Sequence, residues 1–470
     1  MATPSSAEES NKEGPFDRTV ALLLRPFADV KPIEAAGVLL LMGTGFILMA
    51  AYYFLKVTRE PLILAAPSGK EIKSYASAGQ AILLLVMTRG YRALADRLDR
   101  RKLTIAVYGF FAGLIALFAV AERAQLPIGI PFFLFVGIFN LTVLSQFWSV
   151  ANDFYTEEQG KRVFAVLGIG TATGAIAGAW AGGKMFEWFK TTGPLVASIL
   201  LLVVGLGGVL AADHIIRRRQ GGEDDPAAEK DGKKEAGVDD KLGAGPKAKL
   251  DRYLILLAAL ILALNAFNAL GEYILDRSMS ESIMQKLGTI EGPEAKAEFA
   301  KFKSTYFLAF NTATLVLQMF VASRAIRWLG AKNAIFILPI IAVAGYGAAA
   351  FVPTLTVILA VKVAENAVDY SIQNTAWQSL FLVLTRREKY VAKNTIDTVF
   401  VRFGDVTAAG VVAVLSGWLK LPTVAFIVAN LVIGGVWLTA VWFLRIEHPK
   451  KAERTAKLTG ADPRGTEAPA

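Results

Sequence analysis

Between Lys362 and Gln378 the chain reads KVAENAVDYSIQNTAWQ, directly after the apolar run FVPTLTVILAV. One lysine, two carboxylates and several amides therefore follow a segment suited to hydrocarbon. At 100° per residue, Lys362, Glu365, Asn366, Asp369 and Gln373 share a sector of roughly 60–100° on a helix surface. Ionisable groups on such a segment are expensive against lipid. They turn toward a bundle interior or a wet path, where they pair, bind solutes or carry protons. Lys362 next to Glu365 or Asp369 can equally be a packing pair, and both readings stand here.

Comparable stripes occur three more times. Tyr52, Lys56 and Arg59 line YYFLKVTRE; Thr142, Ser145, Ser149 and Asn152 share a face in FNLTVLSQFWSVAND; Asn265, Asn268 and Glu272 recur in LNAFNALGE. Lys56 and Arg59, near a span end, are as well suited to snorkel to the outer interface. Arg402 and Asp405, at i and i+3, read as a structural pair, and Glu34 reads as interfacial. His214 and His448 stand too far apart in the pattern for a metal site. No phosphate loop, nucleophile elbow or metal motif is present, so neither enzyme activity nor a cofactor is expected. With no cysteines, disulfides and thiolate metal sites are excluded.

The elements that must hold these stripes are set by composition. Of 470 residues, 54% are hydrophobic and 19% charged, with mean hydropathy +0.45. The apolar residues come in blocks of about 20 or more, the length needed to cross a bilayer. Twelve blocks are expected, near 33–56, 73–95, 103–122, 129–153, 162–189, 193–216, 252–276, 302–328, 333–351, 354–384, 394–418 and 422–445. The start MATPSSAEESNKEGPF is acidic and polar, with no basic stretch before an apolar core, so no cleaved signal peptide is expected and 1–32 reads as a cytoplasmic N-terminal segment.

The net charge of +10 is topological. The densest groups of Lys and Arg are RGYRALADRLDRRK, IIRRRQ, TRREKYVAK and the tail 446–470, all on the N-terminal side of the membrane. The positive-inside rule then puts both termini in the cytoplasm, and nucleic acid is not an expected partner. Residues 217–251, rich in Gly, Ala and mixed charge, read as a flexible cytoplasmic linker between six-span halves at 33–216 and 252–445. Gly170, Gly174, Gly178 and Gly182 recur every four residues in GIGTATGAIAGAWAGG, a small-residue face for close helix packing.

The halves echo one another. YRALADRLDRRK (91–102) matches SRAIRWLGAK (323–332), and TEEQGKR (156–162) matches TRREKYVAK (385–393), each about 230 residues on. YFLKVTRE (53–60) matches YILDRSMSE (273–281) at about 220. A repeated six-span unit with a cytoplasmic linker resembles the major facilitator fold: all-α, twelve transmembrane helices in two halves rocking about a central site. In that fold the first, fourth, seventh and tenth helices line the cavity, and here all four carry polar stripes.

Three segments further resemble the bacterial and plastid nucleotide translocases, the ATP/ADP antiporter family. They are YYFLKVTREPLILAAP, FWSVANDFYTEEQGKRVFAVLGIGTATGAIAG and ENAVDYSIQNTAWQSLFLVLTRREKYVAKNTIDTVFVRFGD. The resemblance implies exchange of ATP for ADP across an inner membrane. By it, Lys56 and Arg59 correspond to the two cations of the family's first-helix motif, in exchanged order. Glu272 corresponds to its seventh-helix glutamate and Lys393 to a lysine in KYVAKNTID. Physically, a phosphate chain needs several cations. Arg59 would grip oxygens bidentately, with Lys56, Lys362 and Lys393 as point charges. Tyr52, Trp148 or Trp377 would offer a face to a base.

The expected substrate set is thus Lys56, Arg59, Glu272, Lys362, Glu365, Asp369, Lys393, Tyr52 and Asn152, in a monomeric carrier. A second class is a proton-coupled carrier of another solute, with Glu272, Glu365 and Asp369 as proton carriers. A third is a scaffold or receptor that no longer transports.

Overall fold

The computed structural model describes residues 19–20, 22, 30–95, 97–155, 157–219, 251–385, 388 and 396–459. Within them the secondary structure is helical. The first half of the sequence forms α1 (Pro32–Leu64), α2 (Gly69–Ala95), α3 (Arg100–Arg123), α4 (Gly129–Phe154), α5 (Glu157–Phe189) and α6 (Thr192–Arg219). The second forms α7 (Arg252–Leu287), α8 (Gly292–Leu329), α9 (Ala331–Phe351), α10 (355–380), α11 (396–418) and α12 (Thr423–Thr459). Among the described residues nine helices are long and apolar enough to cross a membrane. The expected blocks 73–95, 354–384 and 394–418 fall on α2, α10 and α11, which stand outside those nine.

One boundary differs from expectation. The stretch 280–299, which falls between the expected blocks 252–276 and 302–328, is almost wholly helical: α7 continues to Leu287 and α8 begins at Gly292. Ser, Met, Gln, Glu, Ala and Lys tolerate helix well, and low hydropathy does not by itself end one. Gly288 does end it, with φ 73° and its N–H on the Met284 carbonyl, and Pro293 opens the next.

The chain forms two compact units. The first comprises residues 1–63, 83–224 and 296–308; the second comprises 64–82, 225–295 and 309–470. Each takes one short segment from the opposite half of the sequence: the middle of α8 belongs to the first unit, and the start of α2 to the second.

In the first unit the glycine stripe packs α5 on α1. Gly170 faces Met42, Gly174 faces Phe46, Gly178 faces Ala50 and Gly182 faces Phe54, in four-residue steps along both helices. A Cβ on Gly178 would stand 2.6 Å from the Ala50 Cα, so only glycine permits this approach. In the second unit α7 packs on α11 and α12, and Tyr253 donates to the Leu380 carbonyl at 2.8 Å. Wide π-type turns interrupt the second unit at Gln318–Ala322, Asp369–Gln373, Ile396–Phe400 and Ala413–Trp418. The turn opening on Asp369 packs against the one in α8. Such turns recur at functional sites because they re-aim side chains within a continuous helix.

Candidate functional site

The expected residues fall into two groups, one within each unit. In the first unit the group is built on the last turns of α1. Tyr52, Lys56 and Arg59 recur at the helical period, and Glu60 follows at once. Glu60 is 1% exposed. It accepts from Arg59 Nε at 3.0 Å, and its second oxygen lies 3.8 Å from the Nζ of Lys303, which is fully buried. The Arg59 guanidinium lies 4.5 Å from the Phe133 ring centroid. Lys56 Nζ stands 4.5 Å from the ring of Phe307 and 5.1 and 5.7 Å from those of Tyr53 and Tyr52. Arg59 and Lys303 thus share one carboxylate, and Lys56 stands on the preceding turn of α1 among aromatic faces, which hold a desolvated cation well.

Lys303 is the member that sequence reasoning missed; it stands at the start of the expected block 302–328, away from any polar stripe. A signal for it existed. Lys73 and Lys303 are separated by the same interval of about 230 residues that relates the other repeat pairs. Their roles match too: Lys73, in the second unit, bonds Asp276 near the end of α7 at 2.7 Å, as Lys303 pairs with Glu60 near the end of α1. Beside Asp276, Tyr273 donates to Glu71 at 3.0 Å, and Ser416 to the same carboxylate at 2.9 Å. Ser304 donates to the Ala179 carbonyl at 2.8 Å, seating this stretch of α8 on α5.

In the second unit the group centres on Lys362, again fully buried. Its ammonium donates to Glu365 at 2.9 Å, to the Asn268 carbonyl at 3.1 Å and to the Asn268 side-chain oxygen. Tyr346 donates to the other Glu365 oxygen at 3.3 Å. Gly271 leaves the space that the Tyr346 hydroxyl fills, with Lys362 Nζ 3.3 Å from where its Cβ would be. Glu272 and Asp369 lie within electrostatic range of Glu365. Lys362 is within electrostatic range of Asp369 as well. The pairing of Lys362 with Glu365 expected from the i, i+3 spacing is present; Asn268 and Tyr346 complete it from α7 and α9.

The remaining expected residues are placed separately. Asn152 is exposed near the end of α4, whereas Phe133, beside Arg59, is near its start, so Asn152 does not join the Arg59 group. Trp148 packs edge-on to Phe147 and Phe164, and Trp377 packs edge-on to Phe381. Arg402 and Asp405 pair at 3.1 Å as expected of a structural bridge. Glu34 is more than interfacial: its side chain is 8% exposed and holds Gln159 at 3.0 Å and Arg162 at 3.5 Å, tying α1 to α5. His448 packs on Tyr253, His214 is exposed, and the described residues hold no metal-binding group. Lys393 lies outside the described residues.

Apolar helices of spanning length with buried charge inside them make this a multi-pass membrane protein. The sequence matches the Major Facilitator Superfamily over residues 35–381, and the chain belongs to that family, a transporter and not an enzyme. A relative, "ADP,ATP carrier protein 1" of Chlamydia pneumoniae, is 22% identical, with 83% of this chain and 87% of the relative covered. It agrees with the resemblance read from the motifs. Among solved structures, the POT family transporter PepTSo superposes with a TM-score of 0.59 at 12% identity, covering 89% of this chain and 98% of that one. The nucleoside transporter NupG gives 0.57 at 13%, covering 87% and 98%. At these identities the likeness speaks for the fold alone.

Proposed function

We propose that the protein is an alternating-access exchanger of phosphorylated anions, nucleotides foremost, in a bacterial inner membrane with both termini cytoplasmic. The observation that carries this reading is that Arg59 and Lys303 share the Glu60 carboxylate while Lys56 stands on Phe307, one turn along α8 from Lys303. Several cations close together in a largely buried site suit a ligand with two or more negative charges. The resemblance of the motifs and the name of the Chlamydia relative point the same way. In this reading Lys56 and Arg59 hold phosphate oxygens and Tyr52 lies against the base. Exchange follows from electrostatics. Without an anion, bringing these cations into a dry closed state is costly, so the empty carrier reorients slowly.

The test is reconstitution in liposomes loaded with ADP and presented with labelled ATP. Uptake should require the internal nucleotide and survive a protonophore. Arg59→Ala should lower it by about 30-fold or more, the effect of losing one buried charged contact of at least ~2 kcal/mol. Uptake by Arg59→Ala at the wild-type rate would remove the basis of the reading.

The Lys362 group favours a second reading. Glu272 and Asp369 both act on the charge of buried Glu365, which suits a site that takes up a proton or another cation, making Glu272, Glu365 and Asp369 the carriers of a proton-coupled symport. Uptake that collapses with a protonophore and needs no counter-substrate would select it.

A further inference from the structure

The end of α12 carries cations of two kinds. Lys450, Lys451 and Arg454 each meet a carboxylate: Lys450 lies 3.4 Å from Glu447, Lys451 bonds Asp251 and Glu388, and Arg454 stands 3.8 Å from Asp251 and Glu447. Nearer the middle of the helix the pattern changes. Arg445 is exposed and lies over the Trp442 ring, 5.8 Å from its centroid. Arg252, exposed at the start of α7, lies 6.0 Å from the Phe443 ring. Among the described residues the partner of each is an aromatic face and not a carboxylate. The nearest carboxylates in the sequence, Asp251 and Glu447, are those already held by the other three cations. Lys332, at the start of α9, comes to the same place. It lies within electrostatic range of His448, one turn past Arg445, and Phe336, one turn further along α9, packs edge-on to Trp442 at 6.4 Å.

Depth and exposure say what can reach these cations. α12 has 37 residues and is about 55 Å long, whereas about 20 residues cross the hydrocarbon. Counted from Thr423, the crossing ends near Phe443, so Arg445 and Arg252 stand where headgroups begin. Trp442, Phe443 and Ile446 are all exposed, as are Val432 and Val436, in line with Phe443 at helical spacing. A molecule arriving here meets cations at headgroup level and an apolar path leading from them into the bilayer. A soluble anion uses only the first feature, and a phospholipid uses both. A zwitterionic headgroup brings an ammonium that the cations repel; an anionic phosphodiester does not.

We propose that Arg252, Lys332 and Arg445, with Trp442 and Phe443 beneath them, form a binding site for the headgroup of an anionic phospholipid. Basic recesses between helix ends hold such headgroups by charge while the acyl chains lie along the apolar helix surface. One lipid so held bridges the start of α7, the start of α9 and the end of α12. The site does not depend on which solute the protein carries. Tryptophan and arginine at a membrane boundary also occur without any lipid preference, so the test must read charge selectivity at this place.

The purified full chain in a neutral detergent is titrated with brominated phosphatidylglycerol or brominated phosphatidylcholine, and quenching of tryptophan fluorescence is followed. The part of the quenching lost in Trp442→Phe reports this site. In the wild type that part should saturate at a concentration of phosphatidylglycerol at least about 5-fold lower than of phosphatidylcholine, the effect of one cation beside an anionic headgroup. Arg445→Gln should reduce the preference by about 5-fold. Lys450→Gln, whose charge Glu447 already matches, should leave it unchanged.

Equal quenching by the two lipids would overturn the proposal, as would a full preference in the triple variant Arg252→Gln/Lys332→Gln/Arg445→Gln. A loss in Lys450→Gln as large as in Arg445→Gln would mean that charge is spread over the whole helix end, and would overturn the site. Glycerol phosphate at matched concentration should not displace the lipid; displacement would assign the cations to a soluble phosphate instead. Melting temperatures in phosphatidylcholine are measured alongside, and Arg445→Lys, which keeps the charge, should keep most of the preference. Loss of the preference in a folded Arg445→Lys protein would count against a site built on charge.

Discussion

Consider replacing Lys362 by methionine, which keeps most of the volume and removes the charge. At 2.9 Å from Glu365, and with an effective dielectric constant of about 20, the lost attraction is about 6 kcal/mol before desolvation is counted. Burying two ions opposes much of that, but removing one of them leaves the other buried without its counter-charge. Such truncations cost about 3–5 kcal/mol. For a cooperative unit of roughly 150–250 residues this corresponds to a fall in melting temperature of about 6–20 °C. The loss is compounded by Asn268, whose two oxygens both face the ammonium.

Thermal unfolding in detergent, followed by tryptophan fluorescence, reads this directly. Lys362→Met/Glu365→Gln should be more stable than the two single losses predict, with a coupling of about 1–3 kcal/mol, because the neutral amide still accepts from Tyr346. A Lys362→Met protein melting within about 2 °C of wild type would refute the reasoning, as would strict additivity in the double variant. Either result would mean that the pair is screened by water and contributes little to the fold.

Three further outcomes follow from other parts of the molecule. Gly178→Ala should destabilise by about 1–3 kcal/mol, since its Cβ would press on the Ala50 backbone of α1. Gly168→Ala, with open space around it, should be neutral or stabilising by up to about 1 kcal/mol; comparing their unfolding midpoints checks both.

At the end of α12, Lys451 donates to Glu388 at 2.7 Å and Asp251 at 3.0 Å. Burial works to raise both carboxyls, but the bonds and charge of Lys451 outweigh it and hold them below their ordinary 3.8 and 4.5. A depressed folded value means stability that is present above the ordinary value and lost as pH falls through the depressed one. The clamp should therefore hold above about pH 4.5 and open in stronger acid. Proteolysis of the α12 end should accelerate below that pH in the wild type, and Lys451→Met should be fast at every pH. Gly271→Ala should displace the Tyr346 hydroxyl from Glu365, lowering the melting temperature and transport together; unchanged values for both would argue against this packing.

Much of this molecule is written in local pattern. The stripe from Lys362 to Gln373 was legible because helical periodicity is a property of neighbouring residues, and so were the Lys362–Glu365 and Arg402–Asp405 pairs at i, i+3. The glycine stripe of α5 announced a close contact by its four-residue step. The repeat was legible through offsets, including the one relating Lys73 to Lys303 that showed its meaning only once both partners were known.

Sequence alone determined that this is a helical membrane protein, because hydropathy and helical period depend only on residue type and spacing. Tertiary structure decided which groups became sites. Lys303 reaches Glu60 from the far half of the chain, Asn268 and Tyr346 close around Lys362 from two other helices, and Asn152 is carried to the wrong end of α4 to join Arg59. Such meetings depend on how helices pack and where they end. Gly288 and Pro293, more than hydropathy, set the end of α7 and the start of α8, and so brought Lys303 inside.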